Sequence, residues 1–67
     1  MHAPQVEVSW DDEKKKWLVR IQVGEEVIRR RPDAPKQSDE ATLRALAVQT
    51  TADEGYTVDP SQVVVHL

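Results

Sequence analysis

The fold is decided by one continuous stretch, which reads Trp17-Leu18-Val19-Arg20-Ile21-Gln22-Val23-Gly24-Glu25-Glu26-Val27-Ile28-Arg29-Arg30-Arg31. Before Gly24-Glu25, apolar side chains recur at every second residue, a pattern typical of a half-buried strand, and residues 27–31 should return as a second strand after the turn. Gly24 stands at the first central position of a two-residue connection, where a type II′ turn requires a positive φ. The stretch therefore predicts a β-hairpin, with strands over residues 17–23 and 27–31.

A further strand is predicted before the hairpin, where the segment Gln5-Val6-Glu7-Val8-Ser9-Trp10 alternates strictly between polar and apolar residues. Residues 11–16, which connect this strand to the hairpin, are all charged, with both signs present. A solvated turn is a commoner use of such a run than a binding loop. We therefore expect these residues to form an exposed turn.

The register of the three strands follows from the same alternation. Pairing Trp10 with Trp17 sets Glu7 opposite Arg20, and closing the two-residue turn sets Arg20 opposite Arg29. Both pairings agree on which residues form the apolar inner face, whereas a slip of one residue would turn every side chain to the wrong face. The sequence therefore predicts a row of charged side chains across the other face.

A helix is predicted after the segment Pro32-Asp33-Ala34-Pro35, because proline cannot continue a strand ladder. We expect Ser38 to cap the first turn of this helix and Gly55 to end it at the C′ position. Its apolar stripe consists of Leu43, Leu46, Ala47 and Val48. Further small residues, which indicate a close approach to the sheet, are Ala41, Ala45 and Ala52.

The last predicted strand is a β-branched run, Val63-Val64-Val65-His66-Leu67, with Val63, Val65 and Leu67 pointing inward. A strand-helix-strand connection is right-handed, so the helix should cross the sheet and place this strand parallel to the first. The sequence thus predicts an α+β fold with the element order β-β-β-α-β. Its mixed four-stranded sheet has the order 4-1-2-3, and one helix packs on one face. We expect residues 1–67 to form this single small domain.

Composition limits what the chain can be. It has 67 residues, 39% of them apolar, a net charge of −3 and no cysteine. No apolar run approaches the roughly 18 to 20 residues needed to span a bilayer, so we expect no membrane partner. The start Met1-His2-Ala3-Pro4 lacks the features of a signal peptide, so we expect a cytoplasmic location. A domain of about 60 residues buries only about 60% of its unfolded surface, which leaves a small margin of stability. Because oligomerisation often increases this margin, we expect a homodimer.

Residues suited to catalysis or to cofactor binding are scarce. The histidines His2 and His66 stand near opposite ends of the chain, and a zinc site needs more ligands than these. The acidic group Asp11-Asp12-Glu13 lacks the spacing of a calcium loop and is followed by lysines. Gly24 and Gly55 are isolated and belong to no phosphate-binding motif. We therefore expect no enzyme activity, no cofactor, no metal and no small-molecule ligand.

The face of the sheet opposite the helix is the candidate binding surface. Its predicted binding residues are Leu18, Arg20, Val27, Arg29, Arg31 and Val64. An uncovered, partly aliphatic sheet face and an exposed edge strand are both surfaces through which small domains bind other proteins. We therefore expect non-enzymatic binding of a protein partner, or self-association, through this face or an edge strand.

Nucleic-acid binding through the arginines of this face is the alternative. The run Arg29-Arg30-Arg31 is the densest basic cluster of the chain, and such clusters bind phosphates. However, a pI near 5.2 means that the remaining surface repels DNA, and both tryptophans are predicted to point inward, where they cannot stack on bases. The sequence leaves open whether an anion sits between the arginines or whether Glu7 and Glu25 neutralise them.

The order of elements resembles that of small HicB-type antitoxin domains. In both, a strand ends near an acidic turn, here Asp11-Asp12, the next begins at an aromatic residue, here Trp17, and a helix rich in Glu, Ala and Leu follows. Residues 53–64 are similar to the helix exit of ubiquitin-like β-grasp domains. The Pro-Gly turn usual in HicB-like proteins is missing, and in β-grasp domains no third strand precedes the helix. Both resemblances concern architecture alone and imply no activity.

Overall fold

The computed structural model describes residues 4–66, and their arrangement confirms the predicted fold class. A four-stranded mixed sheet has the order β3-β2-β1-β4, and one helix packs on it. The elements are β1 (Gln5–Asp11), β2 (Lys16–Val23), β3 (Glu26–Arg30), α1 (Glu40–Asp53) and β4 (Val63–Val65), with a short 3₁₀ turn over Pro60–Gln62. No helix within residues 4–66 is long and apolar enough to cross a membrane.

The hairpin between β2 and β3 has the predicted turn and the predicted register. Gly24 adopts a φ of 60°, whereas Glu25 is not among the residues with positive φ, which is the combination of a type II′ turn. Cα partners across the strands include Trp10 with Trp17 and Arg20 with Arg29. The alternation of side chains and the two-residue turn therefore predicted the strand pairing correctly.

The connection between β1 and β2 is an exposed turn, as predicted, but it is shorter than the charged run, because Asp11 belongs to β1 and Lys16 to β2. Asp11 Oδ1 accepts the backbone N–H of Glu13 at 3.1 Å and that of Lys14 at 3.2 Å. The hydrogen bond from the Lys14 backbone is the largest of the causes that hold the pKa of the Asp11 carboxyl below its ordinary value. Desolvation opposes this effect, and the Arg31 guanidinium adds to it. Lys15 takes a left-handed φ of 54° to close the turn.

The crossover from β3 to β4 is completed by parallel pairing of β4 with β1. Val63 stands beside Val6 and Val65 beside Val8, and the backbone N–H of His66 donates to the Val8 carbonyl at 2.8 Å. The helix lies against the face that carries these valines. The resulting core consists of Val6, Val8, Trp17, Val19, Ile21, Leu43, Ala47, Val58 and Val63. Leu67, which was also predicted to point inward, lies outside the described residues.

The helix begins one residue later than the sequence predicts. Asp39, not Ser38, is the N-cap, and its carboxylate accepts the backbone N–H of Thr42 at 2.8 Å. The Ser38 hydroxyl instead donates to the Pro35 carbonyl at 2.7 Å, and so does its backbone N–H at 3.1 Å. Serine and aspartate are both good N-cap residues, but the Ser38 hydroxyl is already hydrogen-bonded to Pro35, so Asp39 caps the helix.

The helix ends as predicted, with Gly55 at the C′ position after the C-cap residue Glu54. Gly55 has a φ of 91°, its N–H donates to the Ala52 carbonyl at 2.9 Å, and the Tyr56 N–H donates to the Thr51 carbonyl at 3.1 Å. These two bonds define a Schellman motif, whose C′ residue must adopt a left-handed conformation that favours glycine.

The buried stripe of the helix differs from the predicted one. It runs along Leu43, Ala47 and Thr51, whose spacing of four residues keeps them on one face. The Thr51 hydroxyl is satisfied inside the core by donating to the Ala47 carbonyl at 2.8 Å. The prediction that further alanines approach the sheet was wrong, because the exposed side of the helix carries Ala41, Ala45 and Ala52.

The segment between β3 and the helix is attached to the sheet through a pair of tryptophans. Trp10 and Trp17 meet edge to face with ring centroids 5.2 Å apart. The Trp17 indole N–H donates to the Pro35 carbonyl at 2.8 Å, and Lys36 Nζ lies 5.5 Å from the centre of the Trp10 ring. Both rings therefore serve the inner face of the sheet, as predicted.

Candidate binding face of the sheet

The face of the sheet that points away from the helix carries no second helix or sheet within residues 4–66. Strand alternation directs to this face every second residue of each strand. The predicted binding residues that lie in strands all point to this outer face. Their neighbours on the adjacent strands are Ser9 beside Leu18, Glu7 beside Arg20 and Val64, Gln22 beside Val27, and Arg20 beside Arg29. Arg31 follows the end of β3 and reaches the same face through Asp11 of β1.

One row of this face crosses all four strands and contains, in order, Val64, Glu7, Arg20 and Arg29. Glu7 is the only acid in the row, and its carboxylate lies near two basic side chains, Arg20 within the row and His66 next to it. Its carboxylate lies 3.8 Å from the Arg20 guanidinium and 3.5 Å from His66 Nε2. Of the two possibilities that the sequence leaves open, neutralisation of part of the row by Glu7 is therefore consistent with the geometry.

Arg29 stands apart from the other arginines of this region. It is exposed, and within the described part of the chain no carboxylate lies within ion-pairing distance of it. Glu25, the second acid expected to neutralise the row, forms no ion pair with any residue between 4 and 66. Arg29 is thus the cation of the row whose charge is left to solvent.

The geometry of the strand pair brings Arg20 and Arg29 close together. Residues that flank a two-residue turn exchange both backbone hydrogen bonds, and such pairs alternate with pairs that exchange none. Val23 and Glu26 flank the turn, so Arg20 and Arg29 form a pair without backbone bonds, whose Cα atoms are about 4.5 Å apart. Like charges directly opposite each other at this spacing destabilise a sheet.

The other two members of the basic run are engaged within the chain. Arg30 forms an ion pair with Glu54 at the end of the helix and also donates to the Arg29 carbonyl at 2.9 Å. Arg31 Nε lies 3.5 Å from a carboxylate oxygen of Asp11. The dense cluster seen in the sequence is therefore divided, because successive side chains of a strand point to opposite faces. Asp11, which the sequence assigned only to the turn, is a second acid of the candidate binding face.

Aliphatic side chains on the face do not form a continuous patch. Leu18, Val27 and Val64 lie on three different strands and in three different rows. Leu18 and Val27 are separated by the row that holds Arg20 and Arg29. Val64 is 50% exposed at the opposite edge of the sheet. Isolated aliphatic residues of this kind are normal on a surface and do not by themselves indicate a binding site.

Charge is distributed unevenly between this face and the rest of the chain. The outward-pointing charged residues are Glu7, Asp11, Lys16, Arg20, Arg29 and Arg31, which together carry a net charge of +2. Since the whole chain carries −3, the remaining residues carry −5. The face is thus a basic surface on an acidic molecule.

Other kinds of site receive little support from the described residues. Trp10 and Trp17 serve the opposite face of the sheet, so neither ring is available to stack on a base bound at the arginines. Between residues 4 and 66, no group of three or more histidine, cysteine, aspartate or glutamate side chains could hold a metal ion. His2, the other histidine considered as a ligand, lies outside the described residues.

Comparison of the chain with protein-family models, with curated proteins and with solved structures found no match. The resemblances to HicB-type antitoxin domains and to β-grasp domains therefore remain architectural. A function has to be argued from the geometry and the charges of the sheet face itself.

Proposed function

We propose that this chain is a non-enzymatic binding module, and that its uncovered sheet face binds an acidic surface of a protein partner. The observation that carries the proposal is the pair of opposed arginines, Arg20 and Arg29. Such a pair costs the isolated fold stability. A partner carboxylate placed beside Arg29 removes this cost in the complex and gives a charge-assisted hydrogen bond.

A different protein fits this face better than a second copy bound face to face. Two copies would bring together surfaces that each carry a net charge of +2. The scattered positions of Leu18, Val27 and Val64 give such a dimer no continuous apolar centre. Of the two expectations, binding of a partner and self-association, we therefore favour the first for this surface.

Nucleic-acid binding is the second candidate, and the excess positive charge of the face is the observation that favours it. Affinity for a phosphate backbone requires several neutralising contacts, and here Arg20 and Arg31 already face carboxylates of the chain. The charge of −5 on the remaining residues opposes the approach of DNA. We therefore rank this candidate below protein binding.

The test uses two anionic probes at low ionic strength, fluorescent poly-glutamate and a fluorescent DNA duplex of mixed sequence, with binding followed by anisotropy. The wild-type chain should bind poly-glutamate, and Arg29→Glu should lose this binding. Lys14→Glu makes the same change in net charge in the exposed turn and serves as the matched control, which should bind like the wild type.

Three outcomes contradict the proposal. If Arg29→Glu and Lys14→Glu weaken binding equally, then only net charge matters and the face is not a site. If the wild-type chain binds the duplex more tightly than poly-glutamate, with affinity falling steeply as salt is added, then nucleic-acid binding replaces protein binding. An absence of binding to both probes also contradicts the proposal.

A further inference from the structure

Strand β3 is an open edge of the sheet. It pairs with β2 on one side, and within residues 4–66 no strand pairs with its other side. Because Val23 and Glu26 flank the tight turn, Glu26, Ile28 and Arg30 direct their backbone groups toward β2. Val27 and Arg29, which alternate with them, direct their N–H and C=O groups to the open side.

One of these outward groups already has a partner. The Arg30 guanidinium donates to the Arg29 carbonyl at 2.9 Å, which agrees with the direction deduced from the pairing. The Val27 N–H, the Val27 carbonyl and the Arg29 N–H have no backbone partner among residues 4–66. These groups are the donors and the acceptor that an added strand uses.

Side chains beside this edge specify the chemistry of such a strand. On the uncovered face, Val27, Arg29 and Arg31 follow one another at intervals of two residues. A strand added to β3 would place one of its own side chains opposite each of them. Arg29 has no carboxylate partner among residues 4–66, so glutamate or aspartate at the facing position of the added strand would form an ion pair with it.

The opposite edge of the sheet lacks these features. Strand β4 is three residues long and consists of Val63, Val64 and Val65, without a charged side chain. Strand β3 is five residues long and ends in two arginines. Charge complementarity therefore distinguishes the two edges and favours β3 for an acidic segment.

We propose that an extended, acidic segment of a partner protein adds to β3 as a fifth strand, with a carboxylate beside Arg29. This inference rests on the proposed function, because it uses the same arginine, and it adds backbone pairing to the recognition of charge. Charged residues on an edge strand also protect sheets against unwanted pairing, so the experiment must separate protection from recognition.

The experiment compares two synthetic peptides of alternating glutamate and threonine. One has an ordinary backbone, and in the other every backbone N–H is methylated, which keeps the carboxylates and removes the donors needed for strand pairing. The ordinary peptide should bind the wild-type chain at least about tenfold more tightly than the methylated peptide does. Equal binding of the two peptides overturns strand addition and leaves the proposed function standing, whereas failure of both peptides to bind overturns both.

Variants at Val27 test the edge from the side of the chain. Val27→Pro removes an outward N–H that β2 does not use, and proline is tolerated in edge strands at such positions. The matched variant, Val27→Thr, keeps this N–H. Both variants change the Val27 side chain, and only Val27→Pro also removes the N–H, so we expect Val27→Pro to weaken binding of the ordinary peptide several-fold more than Val27→Thr does. Far-UV circular dichroism verifies that both variants fold, and equal affinities of two folded variants contradict the inference.

Discussion

At the scale of single residues, the opposition of Arg20 and Arg29 has a measurable cost. Arg29→Glu replaces a like-charge pair with a cross-strand ion pair, so we expect the free energy of unfolding to rise by about 0.5 kcal/mol. Urea denaturation at low ionic strength measures this change. Arg29→Gln, which only removes the repulsion, should give a smaller gain. A loss of stability in Arg29→Glu would mean that Arg29 makes favourable contacts inside the chain.

A second residue-scale prediction concerns pH. The hydroxyl and the backbone N–H of Thr42 hold the pKa of the Asp39 carboxyl below its ordinary value of 3.8. Because the folded state favours the ionised carboxylate, this contribution to stability is present above about pH 4 and is lost as the pH falls further. We expect the midpoint of thermal unfolding to decrease over that acidic range.

Asp39→Asn is the control for the pH prediction. Asparagine keeps an oxygen that can accept the Thr42 N–H, but it does not titrate. The acid-induced decrease in the unfolding midpoint should therefore be smaller in Asp39→Asn than in the wild-type chain. The backbone and hydroxyl bonds from Ser61 lower the pKa of Asp59 in the same way, so part of the decrease should remain. Identical pH profiles would show that the cap does not contribute.

At the scale of elements, the end of the helix depends on one conformation. Gly55 has a φ of 91°, and a Cβ added there would meet nothing within 4 Å. The cost of Gly55→Ala is therefore conformational rather than steric against neighbours, and we expect a loss of about 1 kcal/mol in the free energy of unfolding. Gly55→Asn should lose less, because asparagine tolerates the left-handed region better. Thermal denaturation of both variants tests this order.

The strands were more predictable from the sequence than the helix. A period of two leaves a single consistent register, and Trp10 with Trp17 and Arg20 with Arg29 follow from it. The helix buries Ala47 and Thr51, whose small or polar side chains give a weak pattern, whereas Ala45 is apolar and exposed. Hydrophobicity alone could not determine which side of such a helix faces the sheet.

The candidate site was predictable in part for a related reason. The contact of Glu7 with Arg20 follows from strand register, and the sequence pattern therefore reveals it. The contact of Arg30 with Glu54 depends on where the end of the helix lies relative to β3, which no local pattern specifies. The division of the arginine run between the two faces follows from strand alternation, but the partner that each arginine finds does not.

At the scale of the whole molecule, a small core makes the fold sensitive to single deletions. A 67-residue domain is expected to have a free energy of unfolding of roughly 3 to 10 kcal/mol. Leu43 is fully buried, so Leu43→Ala should cost about 3 kcal/mol and shift the chain strongly toward the unfolded state. The matched variant Leu46→Ala, at a partly exposed position, should cost clearly less. Circular dichroism during heating compares the two, and equal losses would contradict the assigned core.

The separation of a basic sheet face from an acidic remainder gives the molecule a permanent electric dipole. In the field of an anionic neighbour this dipole turns the chain before contact, so productive collisions become more frequent than random orientation allows. Added salt shortens the reach of that field. The rate of encounter, more than the lifetime of the complex, should therefore respond to ionic strength.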